Sequence, residues 1–166
     1  LQLIEENGVK VGVNTHLTNK IVLDALKNNY IKELFADVEV KSEVKFGDNT
    51  RFDFLVTKKN YKAFIEVKNV TLVRRKQVAE FPDAVTSRGA KHLDELIKAH
   101  KKGYKIYIAY IIQREDCNKF TIASDIDPEY SKLLSKAVKK ELNILCYDCK
   151  FSPKGIKLRG KIKFKI

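Results

Sequence analysis

The sequence has little of what marks membrane-embedded or exported proteins. Its longest apolar run, Ile106–Ile112, is far shorter than the about 20 residues that a membrane-spanning helix needs. No basic segment followed by an apolar stretch opens the chain, so it shows no export signal. Three cysteines are an odd number in a chain too large to need disulfide bonds, which favours a reducing compartment. We therefore expect a cytoplasmic protein with no membrane contact.

Proline and glycine are also scarce. Only three prolines and seven glycines interrupt 166 residues, and the chain contains no repeat, low-complexity tract or flexible linker. A hydrophobic fraction of 44% excludes an intrinsically disordered chain. A chain of this size buries about 70% of its unfolded surface, which is enough for one core. The composition thus predicts one folded domain.

Acidic residues are outnumbered by basic ones. The chain has 33 Lys+Arg against 21 Asp+Glu, a formal charge of +12, and residues 150–166 carry seven basic side chains and no acidic one. This surplus favours a polyanionic partner, with nucleic acid as the first candidate. Lysine used only for solubility would give the same charge, so composition leaves both interpretations open.

Basic and apolar residues alternate at the end of the chain. Lys157, Arg159, Lys161 and Lys163 are separated mostly by Ile, Leu or Phe, which is the period of a β-strand. We predict a last strand over 155–166 whose basic face contacts the DNA backbone. Lysines on an edge strand also deter edge-to-edge pairing, and this simpler role explains the same pattern.

Apolar periodicity and turn residues predict a mixed α/β fold. The predicted elements are a short strand at 9–14, a helix from Thr18 to about Asn29, strands at 38–46, 51–57 and 61–70, a helix at 88–101, a strand at 104–113, a helix opening at Asp127, and strands at 143–147 and 155–166. The nearly continuous apolar strand at 104–113 is expected at the centre of the sheet. The chain is therefore predicted to form a mixed β-sheet flanked by helices.

Three charged residues lie inside otherwise apolar strands: Asp53, Glu66 and Lys68. If Lys59 and Asn60 form a two-residue hairpin loop, Asp53 lies opposite Glu66, with Cβ atoms about 5 Å apart. Two carboxylates at this distance repel each other unless a proton or a cation lies between them. The pattern therefore predicts a site for Mg²⁺ or Mn²⁺, which prefer oxygen ligands.

Lys68 lies on the same strand face as Glu66, two residues further on. It is placed to orient or deprotonate an attacking water, or to stabilise negative charge on a phosphate. Asp53, Glu66 and Lys68 together therefore suit phosphodiester hydrolysis. A structural ion pair of Lys68 with one of these carboxylates on a solvent-facing sheet is the alternative.

The order of elements around these residues resembles the core of the restriction-endonuclease-like PD-(D/E)XK superfamily. In that superfamily the Asp lies on the second strand of a three-strand meander and the Glu-x-Lys lies on the third. Asp53 and Glu66-Val67-Lys68 occupy the corresponding positions.

The chain also resembles one family of that superfamily, the sugar fermentation stimulation protein A (SfsA) proteins. The segments that carry this resemblance are Val13-Asn14-Thr15 followed by Asn19, then 42–47 (SEVKFG), 51–55 (RFDFL), 65–72 (IEVKNVTL) and 81–96 (FPDAVTSRGAKHLDEL). The last segment is the most specific of them.

The resemblance implies a DNA-binding protein with a nuclease-like domain, tied to the regulation of maltose and sugar metabolism. Family members carry an OB-like domain before the Val-Asn-Thr segment. Residues 1–12 are therefore expected to be the remnant of such a domain or a linker, and residues 13–166 the PD-(D/E)XK nuclease-like domain. The chain is expected to be truncated at its N-terminus.

The resemblance also assigns roles to residues. It implies that Asp53 and Glu66 bind the metal together with the main-chain carbonyl of Val67, and that Lys68 is catalytic. Many PD-(D/E)XK enzymes place a further Glu on the first helix, where this chain offers only Asp24, with Asn14 nearby and Asn19 as a possible auxiliary residue. Glu43 on the first strand of the meander is the auxiliary candidate to replace it.

Two further groups are candidates for DNA contacts. Arg88 and His92 lie four residues apart at the start of a helix, so they share a face and are placed to meet a phosphate. A salt-bridged helix end is the alternative. The cluster Arg74-Arg75-Lys76 is expected in a loop beside the site, where it either contacts the DNA backbone or is simply solvated.

Two functions remain open at this stage. The first is a DNA-binding protein with a Mg²⁺-dependent site that hydrolyses phosphodiester bonds, as an endonuclease or exonuclease. The second is a non-catalytic, sequence-nonspecific DNA-binding regulator of sugar metabolism genes. An adaptor for an acidic protein is a weaker third possibility.

Overall fold

The computed structural model describes residues 3–166 and confirms a mixed α/β fold. Its helices are α1 (Thr15–Lys27), α2 (Ser87–Lys101) and α3 (Pro128–Val138). Its strands are β1 (Leu3–Glu6), β2 (Val9–Gly12), β3 (Glu39–Phe46), β4 (Thr50–Lys58), β5 (Tyr61–Val70), β6 (Leu72–Arg75), β7 (Val78–Phe81), β8 (Lys105–Ile112), β9 (Lys119–Ile122), β10 (Leu142–Ser152), β11 (Gly155–Lys161) and β12 (Lys163–Lys165). Among these described residues, no helix is long and apolar enough to cross a membrane.

A six-stranded sheet in the order β11-β10-β8-β5-β4-β3 forms the centre of the fold. Strands β3, β4 and β5 form the predicted antiparallel meander, and β5, β8 and β10 run parallel. Lys58 pairs with Tyr61, which confirms the two-residue loop at Lys59 and Asn60. Strand β8 lies between β5 and β10, as its apolar sequence predicts, and every residue from Ile106 to Ile112 is buried.

Helices cover both faces of this sheet. On one face, α2 and α3 pack on a core that includes Phe64 and Tyr110. On the other face, α1 packs on a core that includes Ile65 and Ile111. Neighbouring residues of β5 and of β8 thus enter opposite cores, as the alternation of side chains along a strand requires.

A second, four-stranded sheet in the order β12-β9-β7-β6 was not expected from the sequence. Its strands are only three or four residues long, too short for a clear alternating pattern. Two predictions are wrong for this reason. Arg74 and Arg75 lie in strand β6 rather than in a loop, and the segment 155–166 divides at Ile162 into β11 and β12, which belong to different sheets.

The helix starts differ slightly from the prediction. Helix α1 begins at Thr15 rather than at Thr18, and Asn14 is its N-cap, because the Asn14 side chain accepts a hydrogen bond from the His16 amide. Thr86 caps α2. Asp127 caps α3 as predicted, with Pro128 directly after it.

Strands β1 and β2 form a hairpin at the start of the described chain. It docks on the end of β8, since the Gly12 amide donates to the Gln113 carbonyl at 3.0 Å and Val11 bridges to Arg114. Residues 1 and 2 of the segment 1–12 lie outside the described residues. The assignment of 1–12 to a preceding OB-like domain or linker stays a prediction.

Candidate active site

A cleft of about 550 Å³ opens where the N-terminus of α1, the middle of β3 and β4, the end of β5 and the start of α2 meet. The sequence-predicted residues that line it are Asn19, Glu43, Asp53, Glu66, Val67, Lys68 and Arg88. The fold therefore brings the three predicted catalytic residues together with both auxiliary candidates.

Asp53 lies where the regular alternation of β4 breaks. Phe52 is buried in the core under α2 and α3, whereas Phe54, two residues further on, is buried in the core under α1. In a regular strand these two side chains would share a face. Across from Asp53, Glu43 has φ +55, an uncommon conformation for a residue other than glycine. Asp53, at this irregularity, belongs to neither core and lines the cleft.

The Asp53 carboxylate has two hydrogen-bond donors. Its Oδ2 accepts from the Val67 amide at 2.7 Å, and its Oδ1 accepts from Asn19 Nδ2 at 2.8 Å. Burial and then repulsion from Glu66 raise the pKa of Asp53 from 3.8 to about 6, although these hydrogen bonds and Lys68 partly oppose the shift. Asp53 accepts from the amide of the residue next to Glu66 and lines the same cleft, so a cation bound by both carboxylates would relieve their repulsion.

Glu66 is 3% exposed and uses only one of its oxygens. Its Oε1 accepts from Lys68 Nζ at 2.8 Å and contacts Nδ1 of His92. Its Oε2 is buried and has no hydrogen-bond partner. Burial raises the pKa of Glu66, but the bond from His92 and the charge of Lys68 outweigh it, so the pKa lies below its usual value. The site therefore holds a buried, ionised carboxylate with one free oxygen.

A buried carboxylate oxygen without a partner is costly, and a cation would satisfy it. Within residues 3–166, no cluster of three or more His, Cys, Asp and Glu side chains forms a complete metal site. Mg²⁺ is usually bound by one or two carboxylates, with water and substrate phosphate as its other ligands. Asp53 and Glu66 fit this open kind of site, and Val67, whose carbonyl is the third predicted ligand, lines the same cleft.

Arg88 and His92 have different environments, although both lie in the first turns of α2. Arg88 is exposed and lines the cleft, and its contact with a phosphate stays a prediction. His92 is 7% exposed and bound to Glu66, so the structure does not place it where a phosphate contact was predicted. Asp127 fixes this end of α2, because its Oδ2 accepts from the Thr86 amide at 2.8 Å.

Several polar residues of the cleft were not predicted from the sequence. They are Thr15, His16, Thr18, Asn69, Thr71, Asp83 and Thr86. Some of them lie within segments that carry the family resemblance, and that was the only available signal. His92 also lies within such a segment, 81–96, but its contact with Glu66 depends on how α2 packs on β5 and could not be predicted from the sequence.

The cluster Arg74-Arg75-Lys76 does not line the cleft. Arg74 donates to the buried Glu80 at 2.5 Å and also pairs with Asp125, and Arg75 pairs with Glu80 at 3.0 Å. Their charges are thus partly neutralised within the protein.

The basic residues near the C-terminus also lie outside the lining of the cleft. Arg159 pairs with the buried Asp148, and Lys161 pairs with Glu33 at 2.9 Å. Lys157 is exposed on β11, an edge strand of the large sheet, whereas Lys163 lies on β12 in the other sheet. The expected single basic strand face therefore does not exist.

Comparison with known proteins gives consistent matches over most of the chain. A family model described as "Sugar fermentation stimulation protein RE domain" matches residues 16–155. The sugar fermentation stimulation protein homolog of Pelagibacter ubique is 51% identical over 163 residues, which are 98% of this chain and 70% of that protein. The homolog of Roseobacter denitrificans is 41% identical over 162 residues, 97% of this chain and 69% of that protein.

A solved structure is similar over the whole chain. It is the structure of Pyrococcus furiosus SfsA in complex with Ca²⁺, with a TM-score of 0.91 and 27% sequence identity. The match covers 100% of this chain and 71% of that one. The nuclease-like fold predicted from the order of strands and helices is confirmed by this similarity.

Proposed function

Because the chain belongs to the sugar fermentation stimulation protein family, we propose that its cleft binds a divalent cation and hydrolyses phosphodiester bonds in DNA. Membership of the family by itself supports a function like that of the sugar fermentation stimulation proteins. The DNA substrate and the hydrolytic chemistry are the proposal. They agree with the charge of +12, which suits a polyanionic partner.

The observation that carries the proposal is the free oxygen of Glu66 beside Asp53. Glu66 Oε2 is buried without a hydrogen-bond partner, and Glu66 and Asp53 line the same cleft, where their carboxylates repel each other. A structural ion pair with Lys68 accounts for Oε1 only. The related protein of Pyrococcus furiosus was solved in complex with Ca²⁺, which supports a divalent cation as the ligand here.

Asp53 and Glu66, together with the carbonyl of Val67, are the residues that would hold Mg²⁺ or Mn²⁺. Such a cation, when bound, stabilises negative charge on the phosphate oxygens during hydrolysis. Lys68 is anchored to Glu66 with its side chain 14% exposed, so its ammonium group can orient the attacking water or donate to a phosphate oxygen. Arg88, exposed at the start of α2, binds a neighbouring phosphate.

One observation favours a second function, a non-catalytic DNA-binding regulator of sugar (maltose) metabolism genes. Many PD-(D/E)XK enzymes place an acid on the first helix, whereas the first-helix residue that contacts Asp53 here is Asn19, which donates a hydrogen bond and offers no carboxylate. A site with two carboxylates binds a cation more weakly than one with three. The same fold then serves binding without turnover.

Cleavage and binding assays separate these two functions. The chain is incubated with single-stranded, nicked and branched DNA in Mg²⁺, Mn²⁺ or EDTA, next to Lys68→Ala and the control Lys62→Ala. Lys62 is exposed on the same strand, so its removal changes the charge equally without touching the cleft. We expect Lys68→Ala to lose at least about 100-fold in rate and the control to retain it.

The outcomes of this assay are distinct. Salt-sensitive DNA binding without cleavage by the wild-type chain contradicts the enzyme and supports the regulator. Equal cleavage by the wild type and Lys68→Ala identifies a contaminating nuclease and removes the evidence for hydrolysis.

Calorimetric titration with Mn²⁺ tests the metal site directly, and Glu66→Gln is expected to weaken Mn²⁺ binding by about 10-fold or more.

A further inference from the structure

We propose that the outer face of the four-stranded sheet is a second contact surface for the phosphate backbone of a nucleic acid, beyond the cleft. We call it the basic sheet face and define it by Arg75, Lys119, Lys163 and Lys165. These four residues line one groove of about 540 Å³, and no acidic residue lines it with them. The inference rests on the proposed DNA-binding function.

The pairing of strands places these residues on one face. Lys163 pairs with Lys119, Lys119 pairs with Val78, and Val78 pairs with Arg75, so one row crosses all four strands. Residues that pair across strands point to the same side of a sheet. The next residue of β9, Phe120, is buried in the core, so the row with Lys119 faces outward. Strands lie about 4.8 Å apart, so the row is about 14 Å long.

The like charges in this row need a counter-charge. Lys119 and Lys163 are direct neighbours on adjacent strands, an arrangement that is destabilising when no anion lies between the two. Within the described part of the chain, the ammonium groups of Lys119, Lys163 and Lys165 have no carboxylate within 4.0 Å. Glu80, the nearby acid of β7, is 3% exposed and already pairs with two arginines.

Protection of a sheet edge explains only part of this pattern. Lys163 and Lys165 lie on the edge strand β12, where lysine deters unwanted strand pairing. Lys119 lies on β9, which is paired on both sides by β12 and β7, so it protects no edge. An anion bound on the face accounts for all three lysines.

The shape and position of the face favour a nucleic acid as the occupant. Duplex DNA carries about one negative charge per 1.7 Å of axis, or about eight charges along a row of 14 Å. The face also adjoins the cleft, because Thr71 lines the cleft and β6 begins at the next residue. Arg75 lies four residues beyond Thr71, about 13 Å along an extended strand, so one DNA molecule can contact both.

The test compares two triple variants with the same change of charge. Lys119→Gln/Lys163→Gln/Lys165→Gln neutralises the basic sheet face, and Lys132→Gln/Lys139→Gln/Lys140→Gln removes three exposed, unpaired lysines at helix α3 and the turn that follows it. Both are made in the wild-type chain, the parent, because EDTA prevents cleavage that depends on a divalent cation. Fluorescence anisotropy with a labelled duplex measures the affinity between 50 and 300 mM NaCl, in EDTA.

We expect the slope of log K against log [NaCl] to become shallower by up to 0.9 × 3, or about 2.7, for the first variant only. Lys119→Gln alone is expected to reduce the steepness of this slope by up to about 0.9.

Thermal unfolding of both triple variants checks folding, and loss of the Lys119–Lys163 repulsion is expected to keep the first variant at least as stable as the parent. An equal change of this slope in both triple variants contradicts the role proposed for the basic sheet face. No change in either variant, while the parent binds DNA, also contradicts it. A parent that binds no DNA overturns the proposed function, and the inference with it.

Discussion

The substitution Asp53→Asn tests the electrostatics of the cleft without DNA or metal. Its effect follows from the pKa of Asp53, which burial and then repulsion from Glu66 raise from 3.8 to about 6. The folded chain therefore binds a proton at Asp53 more tightly than the unfolded chain does. Between these two pH values the stability of the wild type falls as the pH rises, because the folded state must give up a proton that it holds more tightly.

The size of this effect follows from the two pKa values. A shift of about 2 pKa units costs the ionised form about 3 kcal/mol, fully present above about pH 7, and only about 0.5 kcal/mol remains at pH 4. Asparagine removes the charge. It still accepts from the Val67 amide, and Asn19 can turn its amide to accept from the new side chain. Asp53→Asn is therefore expected to stabilise the protein by about 2–3 kcal/mol at pH 8 and by less than about 1 kcal/mol at pH 4.

Urea unfolding in EDTA at pH 8 and pH 4 measures this difference, with tyrosine fluorescence and circular dichroism as probes because the chain has no tryptophan. Asp83→Asn is the matched control, since Asp83 lines the same cleft but is exposed. Its effect is expected to stay within about 0.5 kcal/mol at both pH values. A variant at Asp53 that is less stable than the wild type at pH 8, or equally stabilised at both pH values, would refute the argument.

Two further predictions concern residues that support the cleft. Because His92 fixes the rotamer of Glu66, His92→Leu is expected to weaken Mn²⁺ binding by about 10-fold or more. His92→Asn keeps a donor near the position of Nδ1 and is expected to restore part of this affinity. Equal titrations for the wild type and His92→Leu would contradict this role of His92. Asp127→Ala removes the cap of α3 and leaves the Thr86 amide without its acceptor, so it is expected to lower the free energy of unfolding in urea by about 2–4 kcal/mol. The control Asn14→Ala removes a cap whose hydrogen bond is exposed, and its expected cost is about 1 kcal/mol. Equal losses would show that the bond to Thr86 contributes nothing.

Local rules were sufficient to predict that Asp53, Glu66 and Lys68 lie near one another, and the three residues line one cleft. Alternation along β5 places Glu66 and Lys68 on one face, and a two-residue hairpin loop sets the register that brings Asp53 near them. The contact between Glu66 and His92 lies beyond such rules. It joins residues 26 positions apart through the packing of α2 on the sheet, and no pattern within either segment encodes that distance.

The basic residues show the opposite outcome. Arg74 and Arg75 were expected to be free for DNA, but Arg74 pairs with Asp125, 51 positions away, and both arginines pair with Glu80. The short strands β6, β7 and β9 create these pairs, and none is long enough to be recognised from the period of its side chains.

The sequence by itself determined the class of fold, the large central sheet and the identity of the Asp53-Glu66-Lys68 group, because these depend on neighbours along the chain or across one hairpin. Only the tertiary structure decided which charges are paired and which are free. Lys119 stands in no basic cluster of the sequence, yet the fold places it beside Lys163 without a carboxylate partner. The physical reason is that the effect of a charge depends on its distance to other charges in space, and this distance is set by how the two sheets and three helices pack.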